Sequence, residues 1–198
     1  AEAFRAMGRP RLGVFIGAGN LDSMVAHYTA AKRRRSEDFY SPGKRIGCRP
    51  DRAAIVYCNR AREAFGPDMP IILGSLEASL RRFAHYDYWD DSVRRAILFD
   101  APADLLVYGM GEAATIEIAH RLKKKQSVRT MTDIPGTGYI TREPETCAFD
   151  HITLPSFEDV RDDKRLYAEA TRTEYAEHDP IRGLSLIHIS EPTRPISI

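Results

Sequence analysis

Three short segments combine glycine with a polar side chain able to touch a ligand: Gly17-Ala18-Gly19-Asn20, Gly74-Ser75-Leu76-Glu77 and Gly109-Met110-Gly111-Glu112. Each follows an apolar run and so reads as the loop leaving the carboxyl end of a buried strand. In an open parallel sheet, that is where ligands collect. Glycine lets main chain approach a ligand closely, and Asn20, Glu77 and Glu112 would add polar contacts. Gly17, Gly19, Asn20, Gly74, Ser75, Glu77, Gly109, Gly111 and Glu112 are therefore candidate rim residues of one ligand mouth. The plainer reading of the same residues is tight strand-to-helix turns with carboxylates capping helix N-termini. The spacing is not GxGxxG, so neither a nicotinamide nor a flavin follows from it.

Residues 81–91 (RRFAHYDYWDD) concentrate His85, Tyr86, Tyr88, the sole tryptophan Trp89 and the carboxylates Asp87, Asp90 and Asp91. A histidine beside carboxylates could serve as a general base or a metal ligand. No HxH or HxxxH pair accompanies it, and aromatics mixed with charges also pin a loop onto a core, the preferred reading here. Lys32, Arg33, Arg34 and Arg35, with Tyr28, Phe39 and Tyr40 nearby, could grip the phosphates of an RNA, but a solvated helix end explains them more simply. Cys48, Cys58 and Cys147 contain no CxxC pair, which argues against a zinc site and a disulfide framework; Cys58 reads as a small core residue. No residue is assigned a catalytic or metal-binding role.

The elements that must position these residues follow from hydrophobic patterning. The apolar runs in 10–18 (PRLGVFIGA), 70–73 (PIIL) and 105–108 (LLVY) are too short for buried helices and read as buried strands. Helical spacing is expected over 21–31, ending in the basic run at 32–35 where cations suit the macrodipole, and over 51–65 with Asp51 as N-cap. Short helices are expected at 77–83 and 92–99, and an amphipathic one at 113–124 with Ile116, Ala119 and Leu122 facing inward. Residues 39–50 read as a surface loop and 134–139 (IPGTGY) as turn-rich. Residues 157–177 read as charged, thinly apolar helix. Strands alternating with helices imply βαβ units and a mostly parallel open α/β sheet.

Composition narrows the class. With 198 residues, 43% hydrophobic and 29% charged, the chain suits one globular domain. It has no apolar stretch of membrane-spanning length, so no membrane partner is expected. A net charge of +1 provides no general field for a polyanion, which makes nucleic acid a disfavoured partner. Residues 184–198 (LSLIHISEPTRPISI) break in composition from everything before them and show neither period. They read as a non-native tail to be excluded from fold reasoning, with a short strand as the rival reading.

Longer strings carry a resemblance. GNLDSMVAHYTAAKRRRSEDFYSPG, EASLRRFAHYDYWDDSVRRAILFDAPADLLVYGMGE, DIPGTGYI and LPSFEDV resemble the YgiQ-type radical SAM family over about residues 3–182. The chain departs from it at Gly17, where a small polar residue is expected, and at Ser75, where the family has a second glycine.

The resemblance implies a cytoplasmic enzyme of unassigned reaction, with a small-molecule or macromolecular substrate that it does not name. A following barrel would bind a 4Fe-4S cluster on a CxxxCxxC motif and cleave S-adenosylmethionine. That triplet does not occur here, so the barrel is the expected partner and this chain the accessory or substrate-side part. The implied fold is flavodoxin-like or cobalamin-binding-like, with Rossmann-type layers, incomplete at the N-terminus and carrying a helical connector at the C-terminal end. The expected division is 1–125 as a partial α/β domain, 126–183 as connector toward the barrel and 184–198 as the foreign tail. Cobalamin lacks support, because no DxHxxG pattern supplies its axial histidine. The alternative is a non-catalytic module holding a nucleotide or corrinoid on the glycine rim.

Overall fold

The structure, a computed structural model, describes residues 1–143, 147–179 and 182–189 and the backbone of 196–197. After a first short helix, α1 (Glu2–Ala6), the apolar runs form β1 (Val14–Gly17), β2 (Ile71–Gly74) and β5 (Leu105–Val107). β1, β2 and β5 lie side by side and parallel, with Ile16 opposite Leu73 and Gly17 opposite Gly74. Side chains alternate across this sheet, and both faces are covered, so the runs are apolar throughout. On one face α3 (Ala53–Phe65) packs Ala54, Cys58 and Ala61 against Ile71, Leu73 and Leu106. On the other, α5 (Glu112–Lys123) packs Ile118 and Leu122 against Ile72, Leu105 and Val107. An open α/β sheet with helices on both faces is the architecture expected from the alternation.

The sheet continues through β6 (Thr137–Ile140), antiparallel to β5, into β9 (Ile196–Ser197), β8 (Ser185–His188) and β7 (His151–Leu154). The 134–139 stretch is thus turn and strand combined. Ser185–His188 lies within the stretch expected to stand outside the fold, yet it pairs in parallel with β7 and buries Leu186, Ile187 and His188. The rival strand reading is the one adopted there; residues 190–195 and 198 lie outside the described residues. The charged segment after β7 is two helices, α6 (Phe157–Asp162) and α7 (Lys164–Ala176). A Ser156/Asp159 capping box starts the first, and Asp163 both ends it and caps the second.

Several local expectations are corrected. α2 spans only Ser23–His27: Asp22 caps it by accepting from the Met24 and Val25 amides, but Tyr28 is extended and bridges back to Arg34. The basic run is therefore a turn, not a helix end. Asp51 does not cap α3; its oxygens are taken by His27 Nδ1 at 2.8 Å and the Tyr28 hydroxyl at 2.7 Å. The first amides of α3 instead donate to Ser23 Oγ (from Ala53, 3.0 Å) and Glu77 Oε1 (from Ala54, 3.1 Å). The expected helix at 92–99 is β4 (Ser92–Arg94), hairpin partner of β3 (His85–Asp87), followed by a 3-10 turn at Ile97–Phe99. On α5 the inward stripe is Ala114, Ile118 and Leu122, while Ile116 is exposed. Among the described residues no helix is long and apolar enough to cross a membrane.

α4 (Ser75–Leu80) starts directly on β2, and that junction carries the fold's main polar support. Glu77, 1% exposed, accepts from Ser23 N at 2.9 Å as well as from Ala54 N, so one carboxylate joins α4 to the first turns of α2 and α3. Ser75 sits at φ +73°, a region that favours glycine, and its Oγ accepts from Ala18 N at 3.1 Å. Glycine, the residue that the resemblance implies there, would adopt this conformation without strain. At the other end of the hairpin, α7 docks through the Tyr167 hydroxyl on Tyr86 N (3.0 Å) and through Glu174, 3.7 Å from Arg82. Burial pushes the Glu174 carboxyl up to about 7.

Glu77→Ala should destabilise the protein by about 2–4 kcal/mol, because it leaves two buried amides unpaired. The readout is a lower urea midpoint at unchanged slope, with Glu77→Gln intermediate. Ser75→Gly should stay within about 1 kcal/mol of the parent, relief of strain offsetting the lost hydrogen bond, whereas Ser75→Val should cost about 1–3 kcal/mol. For Glu174 the folded carboxyl holds its proton more tightly than the unfolded one. Its stabilising effect is therefore full below the unfolded value and lost as pH rises toward 7. Glu174→Gln should flatten that decline in urea melts taken across the range.

Candidate functional site

Because β1, β2 and β5 run parallel, the loops leaving them share one rim of the sheet. Gly17, Gly74, Ser75, Gly109, Gly111 and Glu112 line a single crevice of about 580 Å³ there, on the face covered by α5. The crevice exists because α5 covers β2 and β5 but leaves Phe15 of β1 half exposed. Close packing favours glycine at two of these positions, Gly17 and Gly111. A side chain at Gly17 would meet Ser75 Cβ at 3.1 Å, and one at Gly111 would collide with Val107. α5 begins at this mouth with no side-chain cap on Gly111, so the positive end of its dipole lies beside the Glu112 carboxylate.

Three of the rim candidates lie elsewhere. Asn20 accepts from the Tyr40 hydroxyl, and Gly19 packs beneath the Tyr40 ring. Glu77 points behind the rim into the polar support described above. The loop at 39–50 is tied down, not merely superficial. Arg49 donates to both Asp38 oxygens at 2.7 and 3.0 Å and to Ala18 O at 3.1 Å. The Arg49 pair, with Ser41 Oγ at 2.7 Å, holds the fully buried Asp38 carboxyl well below the usual carboxylate range. His27, also fully buried, places Nε2 3.5 Å from Asp38 and Nδ1 on Asp51, which links α2 to the loop.

Residues 81–91 are pinned as expected. Arg52 reaches Asp87 at 2.8 Å and Asp90 at 2.7 Å, and Arg94 reaches Asp90 at 2.9 Å and Asp100 at 2.7 Å. The same segment also walls a second cavity, of about 600 Å³, with Tyr28, Arg35, Arg81, Tyr86, Tyr88 and Trp89 among its lining residues. Pinning and cavity formation are thus one structure. The sequence reading missed the cavity because its two walls come from residues about sixty positions apart; the signal was the joint density of aromatics in 81–91 and cations at 32–35.

Neither cavity contains the groups that hold an iron-sulfur cluster. Cys58 is fully buried, with its thiol pushed up to about 12 by burial; Cys48 is exposed and Cys147 half-buried. Among the described residues no group of histidine, cysteine and carboxylate is arranged to hold a metal ion. The residues present do not fit a 4Fe-4S cluster. The rim offers main-chain approach, one carboxylate and the N-terminus of α5.

With this geometry established, comparison with known proteins is informative. A family model described as Radical SAM N-terminal matches residues 1–196. A UPF0313 protein of Clostridium botulinum is 52% identical over 186 residues, covering 94% of this chain and 29% of the relative. A UPF0313 protein of Clostridium perfringens is 49% identical over 204 aligned residues, covering 99% of this chain and 31% of the relative. No solved structure matches. The chain therefore spans about three-tenths of the length of these relatives. It belongs to the radical SAM N-terminal family of UPF0313, YgiQ-type proteins.

Proposed function

We propose that this chain is the substrate-side domain of a cytoplasmic radical SAM enzyme, in which the 4Fe-4S cluster and S-adenosylmethionine are held by a barrel elsewhere in the parent protein. The single observation that carries the reading is a radical SAM N-terminal match over residues 1–196 in a chain whose cysteines are not arranged as cluster ligands. Family membership implies the cofactors for the full-length proteins, and the separation of Cys48, Cys58 and Cys147 supports the reading that other residues hold the cluster.

In this reading the residues of the chain bind and orient. The crevice at Gly17, Gly74 and Gly111 lets main chain approach a bound molecule, α5 directs its positive end there, and Glu112 selects against a second anion close by. The mouth is held by buried structure, since Ser75, Glu77 and Asp38 each tie a rim loop or its neighbour to an adjacent element. A rim held in this way is pre-organised for binding.

Anaerobic reconstitution with iron and sulfide distinguishes the parts. This chain should acquire no stable 4Fe-4S spectrum, whereas the full-length Clostridium botulinum relative should acquire one and cleave S-adenosylmethionine on reduction. A stable cluster on this chain, or a full-length relative that takes none, would overturn the reading.

A further inference from the structure

The cavity between the turn after α2 and the β3–β4 hairpin has a chemistry that neither the rim nor the family accounts for. Its aromatic wall is built from Tyr28 and Trp89, with ring centroids 4.3 Å apart, and from Tyr86 and Tyr88, both about half exposed. Lys32 lies over this wall, 5.0 Å from the Tyr88 ring centroid and 5.6 Å from that of Trp89, and it donates to Trp89 O at 2.9 Å.

The acidic residues there are already neutralised, Asp22 by Arg81 and Asp87 by Arg52. Arg35 is not. Its Nε donates to Val25 O at 3.0 Å and Tyr28 O at 3.1 Å, which fixes the guanidinium, and among the described residues nothing engages its two Nη nitrogens. His85 places Nδ1 3.1 Å from Phe83 O; a carbonyl only accepts, so Nδ1 carries the proton and Nε2 remains an acceptor. Burial lowers the basicity of the ring, which favours the neutral form.

A π-face, a fixed guanidinium fork and a neutral acceptor together suit a planar heteroaromatic ring that carries an oxyanion. An extended polyanion fits less well. Of the two arginines that line the cavity, Arg81 is paired with Asp22, so among the described residues Arg35 is the lining arginine with no carboxylate partner. The volume, about 600 Å³, is that of a small-molecule site. We propose that this cavity binds one nucleoside monophosphate, its base against the Tyr88 and Trp89 wall and its phosphate on the Arg35 fork. The proposal goes beyond the radical SAM reading and does not depend on it.

Trp89 is the sole tryptophan, so its fluorescence reports on the cavity directly. Titration of the full chain with the four common ribonucleoside monophosphates should give saturable quenching for at least one of them. The matching nucleoside should bind about tenfold more weakly and inorganic phosphate alone should leave the emission unchanged. Arg35→Ala should remove the preference for monophosphate over nucleoside while retaining the parent circular dichroism and melting temperature. The parent-chain comparison carries the test if that variant fails to fold.

Absence of saturable quenching, equal affinity for nucleoside and monophosphate, or an unchanged preference in folded Arg35→Ala would overturn the proposal. So would a single-stranded RNA octamer that binds at least a hundredfold more tightly with a steep salt dependence, which would identify an extended RNA surface instead.

Discussion

One buried carboxylate holds the working end of this domain together. Glu77 lies in α4 three residues after β2 ends and accepts from the first turns of both α2 and α3. Helix N-termini present unpaired amides, and a carboxylate completes two of them at once while also favouring the positive ends of the dipoles. Ser23 continues the arrangement by accepting from Ala53 through its hydroxyl. These few groups fix where the chain can leave β1 and β2, and therefore where the rim loops lie.

The two cavities follow from that constraint in different ways. The rim crevice is a product of parallel register: with Gly17 opposite Gly74, the loops leave the sheet at one level, and absent side chains leave room between them. The aromatic cavity is a product of charge pairing. Arg52, at the start of α3, reaches across to Asp87 and Asp90, drawing the β3–β4 hairpin toward the turn that holds Tyr28 and Lys32. The helix that carries the core packing thus also carries the anchor of a surface site.

Much of the frame was legible because it depends on local pattern. Short apolar runs ending in glycine became β1, β2 and β5, and the carboxyl-end rule placed Gly17, Gly74, Ser75, Gly109, Gly111 and Glu112 on one crevice. The errors occur where partners are distant. Asp51 reads as an N-cap by its position, yet His27 and Tyr28 claim it, and the caps of α3 come from Ser23 and Glu77. Ile116 suited the inner face by spacing, but β1 lies beyond the reach of α5, so the buried stripe rotates to Ala114, Ile118 and Leu122.

The sequence alone determined that the runs forming β1, β2 and β5 are buried strands, which glycines lie at their ends, and that no CxxxCxxC triplet is present, because residue type and spacing are local properties. Tertiary structure decided that Lys32–Arg35 form a turn beside Trp89, and that Glu77 serves the core and not the rim. Those outcomes depend on which buried amides and charges lack a partner once the sheet has formed. An unpaired group in a dry interior costs more than local helix propensity can offset, so distant residues determine the local conformation.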